Sequence, residues 1–327
     1  MLAYPDRLPL AQLPTPLERL PRPGFPLETW FKRDDLTGAA LSGNKVRKLE
    51  FLFAEARAQG ADTVVTCGGE QSNHCRATAV AAAGLGLRSL LLLRTDDPNR
   101  PPRTEGNLLL DRLVGAEIRL VSRADYSRRQ EIFSEVEAEL RSRGQKPYRI
   151  VEGGSSALGA FGYIRCVEEM ATQLAPGPAT IVYAAGSGGT GSGLILGAKL
   201  LKLPWRIVGF NVCDDRAYFV RAIGEIVDEA IDRFGLAVSF FRDEIEIIDG
   251  YVGLGYAKSR PEELSCLADL ARSTGLLLDP VYTGKAFYGL RQELAREPGK
   301  FGDRIVFIHT GGIFGLFAKA TEFESVL

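Results

Sequence analysis

From Thr63 onward the sequence repeats one phrase: a short run of continuous apolar residues, a turn, then a segment with apolar residues at helical spacing. The runs are TVVTC (63–67), SLLLLR (89–94), EIRLV (117–121), YRIV (148–151), TIVYAA (180–185), RIVGFNV (206–212) and RIVFIHT (304–310). Segments near 72–83, 104–113, 127–143, 160–174, 192–202, 215–234, 261–274 and 284–295 read as helices. A strand that is apolar along its whole length needs cover on both faces, and strands separated by helices pair in parallel. The phrase therefore predicts an α/β protein of mainly parallel, twisted sheets flanked by helices.

At 327 residues the chain exceeds what one core usually organises, so two lobes are expected. The loop-forming stretch GGSSALGAFG, beginning at Gly153, marks their border around 153–160. The larger lobe is expected to comprise 1–48 with 155–327, and the smaller one 49–154. Upstream, the Pro-rich residues 5–26 read as an irregular arm laid over the surface or across a neighbour. WFKRDD (30–35) reads as a short strand ending in acids. SGNKVRKLEFLFAEARAQG then opens at a turn and continues as a helix with Val46, Leu49, Leu52, Phe53 and Ala56 on one face, stopped by Gly60.

Several classes of function are disfavoured. With 40 basic and 41 acidic residues the net charge is −1, which suits neither a nucleic acid nor a membrane surface as main partner. Five cysteines without a CxxC pair and two histidines make a poor metal set, so no metal is expected. No basic start runs into an apolar segment, and no stretch suits a bilayer span. Reduced thiols in a cytoplasmic protein are the expectation.

GSGGTGSG (186–193) follows a buried strand and opens a helix, where backbone N–H groups cradle an anion, phosphate above all. Two cofactors compete for it. Gly186, Gly188 and Gly191 fit the dinucleotide fingerprint G-x-G-x-x-G, and Asp214 stands near where a ribose-binding acid for NAD belongs. Pyridoxal 5′-phosphate (PLP) requires a lysine as well. Lys45, after Ser42, Gly43 and Asn44, lies at the positive end of a helix, which lowers an amine's pKa and favours the neutral nucleophile that bonding to a carbonyl needs. A lone lysine would more simply share a solvated helix face with Arg47 and Lys48.

CGGEQSNHCRA (67–77) again runs from strand through glycines into a helix. Gln71, Ser72, Asn73 and His74 there suit a substrate carboxylate; Ser72 could carry a proton and Asn73 bond a ring oxygen. Capping by Ser72 or Asn73 is compatible with that role. Three later stretches are rich in hydroxyls: DGYVGLGYAKSRPE with Tyr251 and Tyr256, LDPVYTGKA with Tyr282 and Thr283, and HTGGIFGLF with Thr310. Lys285 reads as a solvated helix-start residue.

GNKxRKLE, GGxQSNH and DPVYxGK, in that order, form a specific combination. On these motifs, from FKRDD to HTGG, the chain resembles the fold-type II PLP enzymes of the D-cysteine desulfhydrase and 1-aminocyclopropane-1-carboxylate (ACC) deaminase group. The resemblance implies a tryptophan synthase β-like fold, a PLP-dependent lyase acting on a small amino acid, and a homodimer. It implies that Lys45 carries PLP and that Asn44, Asn73, Thr283, Thr310 and the cradle Gly186, Ser187, Gly188, Gly189 and Thr190 contact it. Ser72, Tyr256 and Tyr282 would be catalytic, and Gln71, Ser72, Asn73 and His74 would bind substrate. Deaminases of the group carry Glu and Leu where this chain has Thr283 and Thr310, which favours the desulfhydrase branch. A threonine beside the pyridine nitrogen need not keep it protonated, leaving a weaker electron sink that still suffices for a good thiolate leaving group. Glu70 stands where the group usually has an apolar residue; capping the helix is its expected role. ACC deamination, another PLP lyase or racemase acting on cysteate or serine, an NAD-dependent oxidoreductase and a catalytically dead PLP-binding protein are the competing readings.

Overall fold

A computed structural model describes residues 3–20 and 28–327. Its strands are β1 (Leu17–Arg19), β2 (Glu28–Arg33), β3 (Thr63–Gly69), β4 (Arg88–Thr95), β5 (Glu117–Ser122), β6 (Pro147–Arg149), β7 (Ala179–Ala185), β8 (Trp205–Asn211), β9 (Glu246–Ile248) and β10 (Arg304–His309). Among the described residues they form a six-stranded sheet in the order β1-β2-β10-β7-β8-β9 and a four-stranded sheet in the order β5-β4-β3-β6. Every pairing is parallel except β1 with β2. Register aligns Phe31, Phe307, Val182 and Val208 in one apolar row across the large sheet. All four are buried, as strands covered by helices on both faces require.

The expected strand–helix alternation is present, with local differences. β1 and β9, three residues each, are too short to carry a periodic signal. β1 arises inside the stretch read as irregular; residues 21–26 of that stretch lie outside the described residues. WFKRDD divides: β2 ends at Arg33, and Asp34–Leu36 form a 3₁₀ turn. The helix after the glycine loop begins at Gly189, because glycines can enter a helix turn that a pattern search discounts. The described part of the arm docks on its own chain. Glu50 accepts from the N–H groups of Leu10 and Ala11 and pairs with Arg7.

Asp34 ends up fully buried, and so does Arg47. Arg47 makes two bonds to Asp34, at 2.7 and 2.9 Å, and reaches Glu169 at 2.8 Å. Thr15 (2.9 Å) and Tyr163 (2.6 Å) also donate to Asp34, and Lys32 reaches Glu169 at 2.6 Å. Burial alone would raise the Asp34 pKa, but the Arg47 charge and these bonds hold it below the usual carboxylate range. The cluster ties the arm, β2, helix Lys45–Ala58 and helix Ala157–Gln173 together beneath the lysine-bearing turn.

Asp111, on helix Gly106–Leu113, is the opposite case. It is fully buried and neither carboxylate oxygen has a hydrogen bond. Burial pushes its pKa up to about 7, against the opposing pull of Arg76. The folded state therefore holds a proton that the unfolded chain releases near pH 4. Stability falls as pH rises from about 4 to about 7 and stays lower above that. Asp111→Asn lacks this titration. It is expected to be more stable than the parent at pH 8, on the order of 4 kcal/mol, with the gain vanishing near pH 4. Melting temperatures of both proteins across this range check it; a variant that melts below the parent at pH 8 refutes it.

Candidate active site

The C-terminal ends of β3, β4 and β7 and the turn after β10 open onto one cavity of about 530 Å³. Such strand ends, where loops turn into helices, are the usual ligand position in parallel sheets. Asn44, Lys45, Ser72, Asn73, His74, Gly186, Ser187, Gly188, Thr190, Tyr256, Tyr282 and Thr310 all line it. Residues distant in sequence are thus brought to one space.

Lys45 opens helix Lys45–Ala58, with Asn44 at its cap position. Burial lowers the Lys45 pKa to about 8, against an opposing pull from Glu152. Desolvation therefore adds to the helix-end effect expected from sequence. Lys48, one turn on, is fully buried rather than solvated, as is Arg47; the solvated-face expectation fails for both. The Lys48 amine lies 3.3 Å from the Gly153 carbonyl, and burial, then the Lys45 charge, pushes its pKa far down. Among the described residues neither lysine has an ion pair with a carboxylate closer than 4 Å.

The cradle after β7 lies against the Lys48 amine. Gly188 has φ +87°, a left-handed conformation that glycine adopts freely. A Cβ on Gly189 would come within 2.8 Å of Ser155 Cα and 3.0 Å of Lys48 Nζ. The first turn of helix Gly189–Leu200 leaves N–H groups without intrahelical partners. Asn44 donates to Thr190 Oγ1 at 3.2 Å, joining the lysine turn to the cradle. Two buried amines without acidic partners beside a glycine-lined helix start are what a phosphate-bearing cofactor with an aldehyde would satisfy. The residues present fit PLP.

On the opposite wall, Ser72 caps helix Asn73–Gly84 by accepting from the Cys75 N–H at 3.1 Å. His74 Nε2 meets Thr66 Oγ1 at 2.8 Å, and burial, then Lys45 and Lys48, keep the ring neutral. The hydroxyls of Tyr256 and Tyr282 lie 2.5 Å apart. Burial raises both pKa values, that of Tyr256 to about 12, so both stay protonated at neutral pH and one donates to the other.

Three expected contacts are placed elsewhere. Gln71 is off the cavity wall, its amide bonded to the Asn107 N–H (2.9 Å) and the Glu105 carbonyl (3.1 Å). Gly189 packs behind the cradle against Ser155. The buried Thr283 hydroxyl donates to Asp279 Oδ1 at 2.5 Å, fixing the turn that presents Tyr282. Glu70 faces a separate depression with Gln71, Arg100 and Arg103. Tyr251 is a core residue bonded to Glu293. Lys285 is buried, contrary to the solvated reading, and donates to the carbonyls of Val252, Gly255 (3.1 Å) and Lys258 (2.8 Å), pinning the loop that carries Tyr256.

The cavity also holds Arg94, which the sequence reading passed over. Its guanidinium stacks between Tyr126 (5.0 Å) and Tyr256 (5.2 Å). The available signal was a cation closing an otherwise apolar strand.

A lysine poised for a carbonyl and an anion cradle beside it define a PLP enzyme, and the chain belongs to the family of pyridoxal-phosphate dependent enzymes, whose model matches residues 8–311. Within it, the chain is a PLP-dependent lyase of the D-cysteine desulfhydrase and ACC deaminase group. It is 46% identical to the bifunctional D-cysteine desulfhydrase/1-aminocyclopropane-1-carboxylate deaminase of Arabidopsis thaliana, over 97% of this chain and 81% of that protein. A putative ACC deaminase of Thermotoga maritima is 44% identical, over 96% of this chain and 98% of the relative. A D-cysteine desulfhydrase of Serratia proteamaculans is 39% identical over 97% of both. A crystal structure described as an ACC deaminase homologue superposes with a TM-score of 0.91 at 39% identity, over 99% of this chain and 97% of the other. The fold is that of the fold-type II PLP enzymes, which sets aside the dinucleotide reading of GSGGTG. Among the described residues no helix is long and apolar enough to cross a membrane.

Proposed function

We propose that the protein catalyses β-elimination of D-cysteine: D-cysteine and water give pyruvate, hydrogen sulfide and ammonia. The observation that carries this reading is residue type. By the family resemblance, Thr283 and Thr310 occupy the positions where deaminases of the group have Glu and Leu, and Thr310 lines the cavity. ACC deamination is the second reading, favoured by the names of several relatives; another PLP lyase or racemase acting on cysteate or serine is the third.

When bound, PLP supplies a carbonyl for the amino group and a ring that stabilises negative charge at Cα. Lys45 would hold it, with Gly186, Ser187, Gly188, Thr190 and Lys48 to receive the phosphate and Asn73 and Thr310 to contact the ring. The start of helix Asn73–Gly84, with Ser72, receives the substrate carboxylate. The Lys45 amine, brought near neutrality by burial, and the Ser72 hydroxyl move the Cα proton. The Tyr256–Tyr282 pair donates a proton to the departing sulfur. Neutral His74 adds no charge that would compete for the carboxylate. A division into 1–48 with 155–327 and 49–154, a homodimer and a cytoplasmic site of action belong to the same reading. Its support for the division is that all four strands of the small sheet fall between Thr63 and Arg149.

The holoenzyme, given D-cysteine, L-cysteine and ACC separately, tests the proposal. Sulfide and pyruvate from D-cysteine are expected, with kcat/KM at least about 10²-fold above that for ammonia release from ACC. Comparable or better turnover of ACC would overturn it in favour of the deaminase, and preference for L-cysteine would reverse the assigned handedness.

A further inference from the structure

We propose that Asn107, which does not line the cavity, is the positioning residue that fixes which end of the Asn73 amide faces the cofactor; this rests on the reading of Asn73 as a cofactor contact. Asn107 is fully buried, at the start of helix Gly106–Leu113. Its side-chain Nδ2 donates to Asn73 Oδ1 at 2.9 Å and to the Gln71 carbonyl at 3.0 Å. Its Oδ1 accepts from Arg76 Nε at 3.2 Å. Its backbone N–H donates to Gln71 Oε1 at 2.9 Å.

The order of these bonds follows from chemistry. A guanidinium has donors and no acceptor. Whatever faces Arg76 Nε must therefore be an oxygen, which turns the Asn107 nitrogen toward Asn73. A nitrogen there demands the Asn73 oxygen, so the Asn73 Nδ2 is left as the free end of its amide. Asn73 lines the cavity, so the site is held to present a donor, the polarity that an oxygen on the cofactor ring requires. Arg76 is anchored in turn, donating to the carbonyls of Ala40 (2.6 Å) and Ser42 (2.8 Å) in the turn before Lys45. One buried carboxamide thus references the Asn73 amide to the turn that sets Lys45. The Gln71 side chain, expected to bind substrate, braces this arrangement from the other side.

Asn107→Asp tests the relay, because a carboxylate accepts from Arg76 but offers Asn73 no donor. The Asn73 amide then loses its imposed orientation. Asn107→Ala removes the brace without adding charge and is measured beside it. The readouts are the Kd for PLP, by titration of the resolved enzyme, and the visible absorbance of the holoenzyme with its pH titration. Both variants are expected to bind PLP about tenfold more weakly, the size of one lost hydrogen bond to a charged group. Asn107→Asp is expected also to displace the pH titration of the visible band. In an Asn73→Ala background, either change at position 107 should have no further effect. Wild-type Kd and spectrum in both single variants would overturn the proposal, as would an undiminished effect in the Asn73→Ala background. An Asn73→Ala enzyme with wild-type Kd and spectrum would instead remove Asn73 from the cofactor, a failure of the underlying reading that is recognisably different.

Discussion

Lys45→Ala is expected to lower turnover by more than about 10³-fold, since on the proposed reading it removes both the group that carries the cofactor and one that moves the Cα proton. The visible absorbance of bound cofactor should disappear, while far-UV circular dichroism stays that of the parent. The reason is local: among the described residues no carboxylate lies within 4 Å of the Lys45 amine, and burial already disfavours its charge, so its loss breaks no ion pair. Borohydride reduction of the parent holoenzyme followed by peptide mapping should place the cofactor on Lys45. A label on Lys48 would move the attachment one turn along the helix and refute the assignment. Near-wild-type activity in Lys45→Ala would remove the proposed chemistry altogether.

Arg47→Met should have the largest effect on stability, although Arg47 does not line the cavity. It leaves Asp34 buried without its strongest partner and takes from Glu169 two of its donors, leaving Lys32 and Thr15. Removing one member of a buried ion pair costs about 3–5 kcal/mol, because the remaining charge stays desolvated. Arg88→Met is the control: Arg88 pairs with Asp62 at 3.5 Å with its side chain 61% exposed, and such surface pairs contribute little. Denaturant midpoints should fall steeply for Arg47→Met and stay within about 0.5 kcal/mol for Arg88→Met. Equal stability of the two variants would show that the cluster does not hold the fold. Because the cluster lies directly under the lysine-bearing turn, cofactor affinity should fall together with stability in Arg47→Met.

Much of the fold was legible because apolar runs and glycine-rich turns act locally. A strand that must be covered on both faces cannot hide its composition, and a helix that opens on glycines announces an anion cradle. Lys45, Ser72 and Asn73 are accessible the same way, through short motifs that report what a turn can present, whereas Tyr256 and Tyr282 stand out only through the family resemblance. The charged residues were read less well. Arg47, Lys48 and Lys285 carry the composition of solvated helix faces, and all three are buried. Their environments come from Asp34 and Glu169, from the cradle after β7 and from the carbonyls of 252–258, none of which is near them in sequence. Gln71 sits in a motif that suits substrate binding, yet the helix at 106–113 claims its amide.

By itself, then, the sequence determined the layered α/β architecture, the anion-binding turns and the lysine that begins a helix, since each depends on interactions within a few residues. The tertiary structure alone decided which charges are buried, which amide faces the cavity and which hydroxyls meet. Burial and pairing of a polar group depend on partners that only chain closure brings within hydrogen-bonding distance, and no local pattern records them.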